Sequence, residues 1–133
     1  MKIKLSVLVL CLFVFTVSAS ADSYEEALSK WKSHEDVAAW LKQKFTFDKT
    51  RQRKIIRLLK KNGPSGMVVR KPAEFYEKNR FGYCADAAHF AITSLNRINP
   101  DYNARWVFVW NQRGRPNHWV AAFDWQAKLY ILD

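Results

Sequence analysis

Apolar residues recur at helical spacing through the first two thirds of the chain and at alternating spacing through its last third. Val37, Trp40, Leu41 and Phe45 lie three or four positions apart, so residues 24–31 and 36–45 read as two amphipathic helices. Their aromatic residues, Trp31 and Trp40 included, are expected in a core. Glu35 and Asp36 stand at a helix start, where carboxylates suit the dipole, and His34 before them reads as a surface residue. Residues 48–61 form a third, strongly basic helix with an apolar stripe of Ile55, Ile56, Leu58 and Leu59, stopped by Asn62-Gly63-Pro64. Its bland reading is a solvated basic face over a buried aliphatic one; its sharper reading is a surface that docks on anionic material. Residues 63–72 are a loop and 72–76 a short helix. Phe81-Gly82-Tyr83 then breaks the pattern before Cys84 opens a long helix reaching about Asn96. Ala87, Ala88, Ala91, Ile92 and Leu95 follow at helical intervals, so Cys84 heads the buried stripe.

Past Asn99-Pro100-Asp101 the period becomes two. Residues 105–110, 118–123 and 129–133 read as strands, with Arg113-Gly114-Arg115-Pro116 as a loop. Helices followed by an antiparallel sheet make an α+β domain, with a helical part over 22–71 and a core over 72–133. In the second strand His118, Val120 and Ala122 share one face, and this small-residue face is expected to receive the Cys84 helix. A hairpin turn over 124–127 would set Ala122 opposite Leu129, Val120 opposite Ile131 and His118 opposite Asp133.

The first 21 residues differ from the rest. Lys2 and Lys4 precede an apolar run over 5–17, and Ala19-Ser20-Ala21 offers small residues for cleavage, the pattern of a secretory signal peptide. The apolar run is shorter than the roughly 20 residues a bilayer core requires. Cleavage there would leave 112 residues, enough for one hydrophobic core, with 20 basic residues against 12 acidic ones. The expected location is secreted or periplasmic. The excess charge favours anionic partners, and charge alone does not choose among membrane surfaces, cell-wall polymers and nucleic acid; nucleic acid, for which nothing but the charge speaks, is not the expected partner.

Removal of the leader also removes Cys11 and leaves Cys84 as one thiol in a compartment where thiols usually pair. Free cysteine is often a small buried apolar residue. A cysteine at a helix N-terminus, however, meets unpaired amides and a positive dipole end, which favour thiolate and can hold an oxyanion. Gly82 just before it permits close approach of backbone or substrate. A strand histidine is often structural, yet Asp133 facing His118 would fix the imidazole tautomer and stabilise its cation. Other constellations are weaker. Asp86 and His89 are helical neighbours without a third ligand, so no metal is expected. Trp106, Trp110, Trp119 and Trp125 could stack on sugars, but in a sheet they are expected to pack a core.

Gly82-Tyr83-Cys84-Ala85-Asp86-Ala87-Ala88, then Asn117-His118-Trp119, then Tyr130-Ile131-Leu132-Asp133 resemble the successive Cys, His and Asp motifs of the transglutaminase-like superfamily. The intervals of 34 residues from Cys84 to His118 and 15 from His118 to Asp133 are similar to that pattern, and the resemblance covers residues 72–133. It implies a papain-like core, a helix headed by the nucleophile Cys84 packed on a small antiparallel sheet, with His118 as base and Asp133 as orienter. The implied activity is that of a bacterial transglutaminase-like cysteine peptidase, a thiol-dependent amide or acyl hydrolase or acyltransferase. The expected substrate is a protein, peptide or cell-wall peptide, with no cofactor and a monomeric enzyme. The rival expectation is a noncatalytic module on the same fold that binds cell wall or membrane surface through the basic helix and aromatic residues.

Overall fold

The computed structural model describes residues 22–110 and 117–133; the expected signal peptide over 1–21 and the expected loop over 113–116 lie outside them. The first helix, α1 (Tyr24–Lys30), starts at a capping box: Glu26 accepts from the Ser23 amide at 2.7 Å while Ser23 Oγ accepts from the Glu26 amide at 3.2 Å. Helix α2 (His34–Lys44) begins two residues earlier than the apolar pattern indicates, because Asp36 accepts from the amides of Lys32 and Ser33 and so ties the preceding turn to the helix. A two-residue strand β1 (Thr46–Phe47) follows. Asp48 then caps α3 (Lys49–Asn62), accepting from the amides of Thr50 and Arg51. Gly63, at φ 62°, ends α3 in the left-handed region where glycine carries no Cβ penalty, and a 3-10 turn over Gly63–Gly66 follows.

Helix α4 (Pro72–Glu77), strand β2 (Phe81–Gly82) and the long helix α5 (Cys84–Ile98) come next, and then a 3-10 turn over Pro100–Tyr102. Strands β1 and β2 pair in parallel, Thr46 beside Phe81 and Phe47 beside Gly82. The final segment supplies β3 (Arg105–Val109), β4 (His118–Trp125) and β5 (Lys128–Leu132), an antiparallel sheet in the order β3-β4-β5. The architecture is α+β, as expected.

The main core lies between α5 and β4. Phe90, Ala91 and Leu95 of α5 meet Ala121 and Phe123 of β4, with Tyr24, Val37 and Phe75 closing the cluster. Trp40 stands 4.5 Å from Phe90 between ring centroids and stacks on Tyr76 at 5.0 Å, so it packs on the core as its spacing indicated. The face of β4 that receives α5 is the one carrying Trp119, Ala121 and Phe123, not the small-residue face. The reason is interdigitation: Phe90 and Leu95 of α5 fill the space beside Ala121, and Phe123 of β4 fills the space beside Ala91. The opposite sheet face leaves Val109, Leu129 and Ile131 exposed.

Candidate active site

Cys84 is the first residue of α5 and is 7% exposed. Its position depends on Asp86, two residues on and fully buried. Asp86 Oδ2 accepts from Arg51 Nε at 2.6 Å and from the Tyr83 amide at 3.0 Å, while Oδ1 accepts from Arg51 Nη2 and the Arg70 amide, each at 2.8 Å. One carboxylate thus fastens the head of α5 to α3 and to the irregular segment leading into α4. Gly82 is required by this arrangement, since a Cβ there would stand 2.9 Å from both Asp86 Oδ2 and the Phe75 ring. The close approach inferred at Gly82 is therefore made by the protein's own side chains. Tyr83 is buried as well, with its hydroxyl on Met67 Sδ at 2.7 Å and the Arg51 guanidinium 5.7 Å from its ring centroid.

The electrostatics of the sulfur depart from the expectation of a ready thiolate. Burial pushes the Cys84 thiol above its ordinary range; the backbone amides of Trp119, Ala85 and Cys84 itself pull it back, and the Asp133 charge pushes it up again. Desolvation outweighs the amides, so the sulfur rests protonated and needs a base to ionise it.

His118 Nε2 contacts Asp133 Oδ1, the His–Asp pairing anticipated from the hairpin. The register differs from the expected one by two residues. Ala122 faces Ile131 instead of Leu129, and the turn is the pair Gln126-Ala127, both at positive φ (51° and 58°). Because side chains alternate with a period of two, the shift keeps Asp133 on the face of His118 and turns a direct neighbour into a diagonal one. Cys84, His118 and Asp133 all line one cavity of about 510 Å³. Among the described residues Cys84 Sγ and His118 share this cavity without a direct hydrogen bond, so the structure joins His118 to Asp133 tightly and Cys84 to both only across the cavity.

Other residues singled out by sequence fall elsewhere. His89 Nδ1 pairs with the Arg70 carbonyl at 3.0 Å and its ring stacks on Trp106, and no metal-binding cluster occurs among the described residues. His34 is not a surface residue: its side chain is 14% exposed and sits 4.6 Å from the Trp125 ring and 5.1 Å from the Phe123 ring. Its partners come from the sheet some ninety residues later, which local pattern does not show. Trp106 and Trp110 do not join the core but stay 40% and 68% exposed, Trp106 lying on His89 and edge-on to Trp119 and Trp110 edge-on to Phe108. Two participants escaped sequence reading altogether. Lys42 lines the cavity, and the Trp119 amide acts on the sulfur; the first is one of many exposed lysines and the second is a backbone group.

No protein family, curated protein or solved structure matches the chain.

Proposed function

We propose that the chain is a thiol-dependent hydrolase or acyltransferase acting on amide or related acyl bonds, built on a transglutaminase-like core. The observation that carries this reading is the His118–Asp133 pair opening onto the same cavity as a cysteine at the head of a helix. Asp133 holds Nε2 of His118, leaving Nδ1 to take the proton of Cys84. The thiolate adds to the carbonyl carbon, and the Cys84 amide and its neighbours stabilise the oxyanion. The C–N bond breaks, His118 returns the proton to the leaving amine, and an acyl-sulfur bond remains. Water, deprotonated by His118, hydrolyses the thioester; an amine in its place would give transfer. Hydrolysis needs no second bound substrate and is the simpler course.

Export through the segment over 1–21 would set this chemistry on proteins, peptides or cell-wall peptides. Helix α3 would bring the enzyme to anionic surfaces. It carries seven basic residues, of which only Arg51 has an ion-pair partner among the described residues. An activated ester tests the chemistry. With p-nitrophenyl acetate the wild type should release a burst of nitrophenolate equal to the protein and gain an acetyl group on Cys84 by mass spectrometry. A burst of equal size in Cys84→Ala would remove Cys84 from the reaction.

The second reading, a noncatalytic binding module, is favoured by the exposure of Trp106, Phe108 and Trp110 together with the presence of a strongly cationic helix in the same chain. It requires an inert thiol and predicts no burst in either protein.

A further inference from the structure

The cavity beside Cys84 has a composition that says what could fill it. Ala87 and Ala88 lie three and four residues after the cysteine, where a methyl group is all that projects, so the space below the thiol is left open by α5 itself. Across from them α2 contributes Ala38 and Leu41, and Phe45 and Phe47 close the wall. The volume of about 510 Å³ is more than three times the roughly 150 Å³ that suits one benzene ring. It accommodates more than one bulky apolar side chain. Two carboxylate or cationic groups break this lining besides the imidazole: Asp133, which His118 occupies, and Lys42, one turn after Ala38 on α2. Lys42 has no ion-pair partner among the described residues.

We infer that the cavity selects an acyl donor with two features: a bulky apolar group that enters beside the thiol, and a separate carboxylate that meets Lys42. In the amide chemistry proposed above, on which this rests, such a donor is a peptide with large apolar residues and an acidic neighbour. A simple fatty acyl group satisfies the wall but not the lysine, since its only polar atoms are those of the reacting carbonyl. A peptide of small or basic residues satisfies neither. The cation is exposed and partly screened, so its contribution to recognition is several-fold, whereas the apolar wall sets the larger part of the affinity.

The test separates binding from chemistry by using full-length Cys84→Ala, which binds but cannot react. Tryptophan fluorescence, with Trp119 in the cavity wall, reports titration with acetyl-Phe-Leu-Glu-amide, its Gln and Lys analogues, and acetyl-Gly-Gly-Glu-amide. The Glu peptide is expected to bind about fivefold tighter than the Gln peptide and at least tenfold tighter than the Gly-Gly peptide. Adding Lys42→Glu, a surface change that leaves the core untouched, should invert the Glu-over-Lys preference. Equal affinity for all four peptides, an unaltered preference in Lys42→Glu, or tighter binding of octanoyl glycine ester than of the Glu peptide would each overturn the inference. Selective binding here together with no acyl adduct in wild type would uphold the ligand class while removing the proposed catalysis.

Discussion

At the head of α5, the Asp86 carboxylate is the common acceptor for one guanidinium and two backbone amides, in a position with no exposure to water. Asp86→Asn would leave donors facing donors, and the expected loss is about 3–5 kcal/mol of folding free energy, read from denaturant midpoints. Replacing both members, as Arg51→Met with Asp86→Leu, should recover only part of that loss, because the amides of Arg70 and Tyr83 would still lack an acceptor. A full recovery would show that the two backbone bonds matter little. The thiol gives a second residue-level expectation. Since burial raises its folded pKa above the unfolded value of about 8.5, the folded state holds a proton that the unfolded state has already released. The contribution is present below that pH and declines as pH rises through the window above it. Wild type should therefore lose stability as pH rises above about 8.5 relative to Cys84→Ser, and parallel pH curves for the two proteins would contradict the burial argument.

Among the elements, the β4–β5 hairpin shows what alternation can and cannot specify. The valine-rich and aromatic runs place both strands, and Cys84 at the start of an alanine-rich run places α5. The turn was not legible, because Gln126 and Ala127 both adopt left-handed backbone that neither residue favours. Tertiary pairing along the strands, through Ala121–Leu132, Ala122–Ile131 and Phe123–Tyr130, sets the register instead. The His118–Asp133 pair survives the two-residue offset through parity, whereas an offset of one would have separated the two side chains. The strained turn is open to repair. Gln126→Asn with Ala127→Gly supplies the residues that two-residue hairpins prefer and should add about 1 kcal/mol of stability, seen as a rise in Tm. The strands β1 and β2 were illegible for a different reason: each is two residues long and exists only through partners such as the Arg80 carbonyl for the Thr46 amide. Trp119, Ala121 and Phe123 were visible as one face of β4, but which face meets α5 is decided by how large and small side chains of helix and sheet interdigitate, a property of the pair.

For the whole molecule, a formal charge of +10 is concentrated on α3, whose exposed Arg53, Arg57 and Lys60 lie along one side at helical spacing. A single docking surface of this kind should be lost by reversing those three charges while the fold persists, since the anchoring residues Ile55 and Arg51 point inward. Vesicles containing phosphatidylserine should sediment wild type at low salt and bind Arg53→Glu/Arg57→Glu/Lys60→Glu at least a hundredfold more weakly, at about 1 kcal/mol per basic residue. Equal sedimentation of the two proteins would place the anionic contact elsewhere. The head of α5 at the cavity and the cationic helix are joined through Asp86, so the same carboxylate that positions the thiol also fixes α3.

The proposal that Cys84 and His118 work together is tested most directly by the rate of iodoacetamide alkylation of Cys84 between pH 5.5 and 9.5. A buried thiol with a raised pKa should react slowly near neutrality unless the imidazole removes its proton. Wild type is therefore expected to react at pH 6–7 at a rate that falls at least tenfold in His118→Ala and partly in Asp133→Asn. Coincident profiles for wild type and His118→Ala, both rising only above about pH 8.5, would show a thiol without a base and would contradict the account.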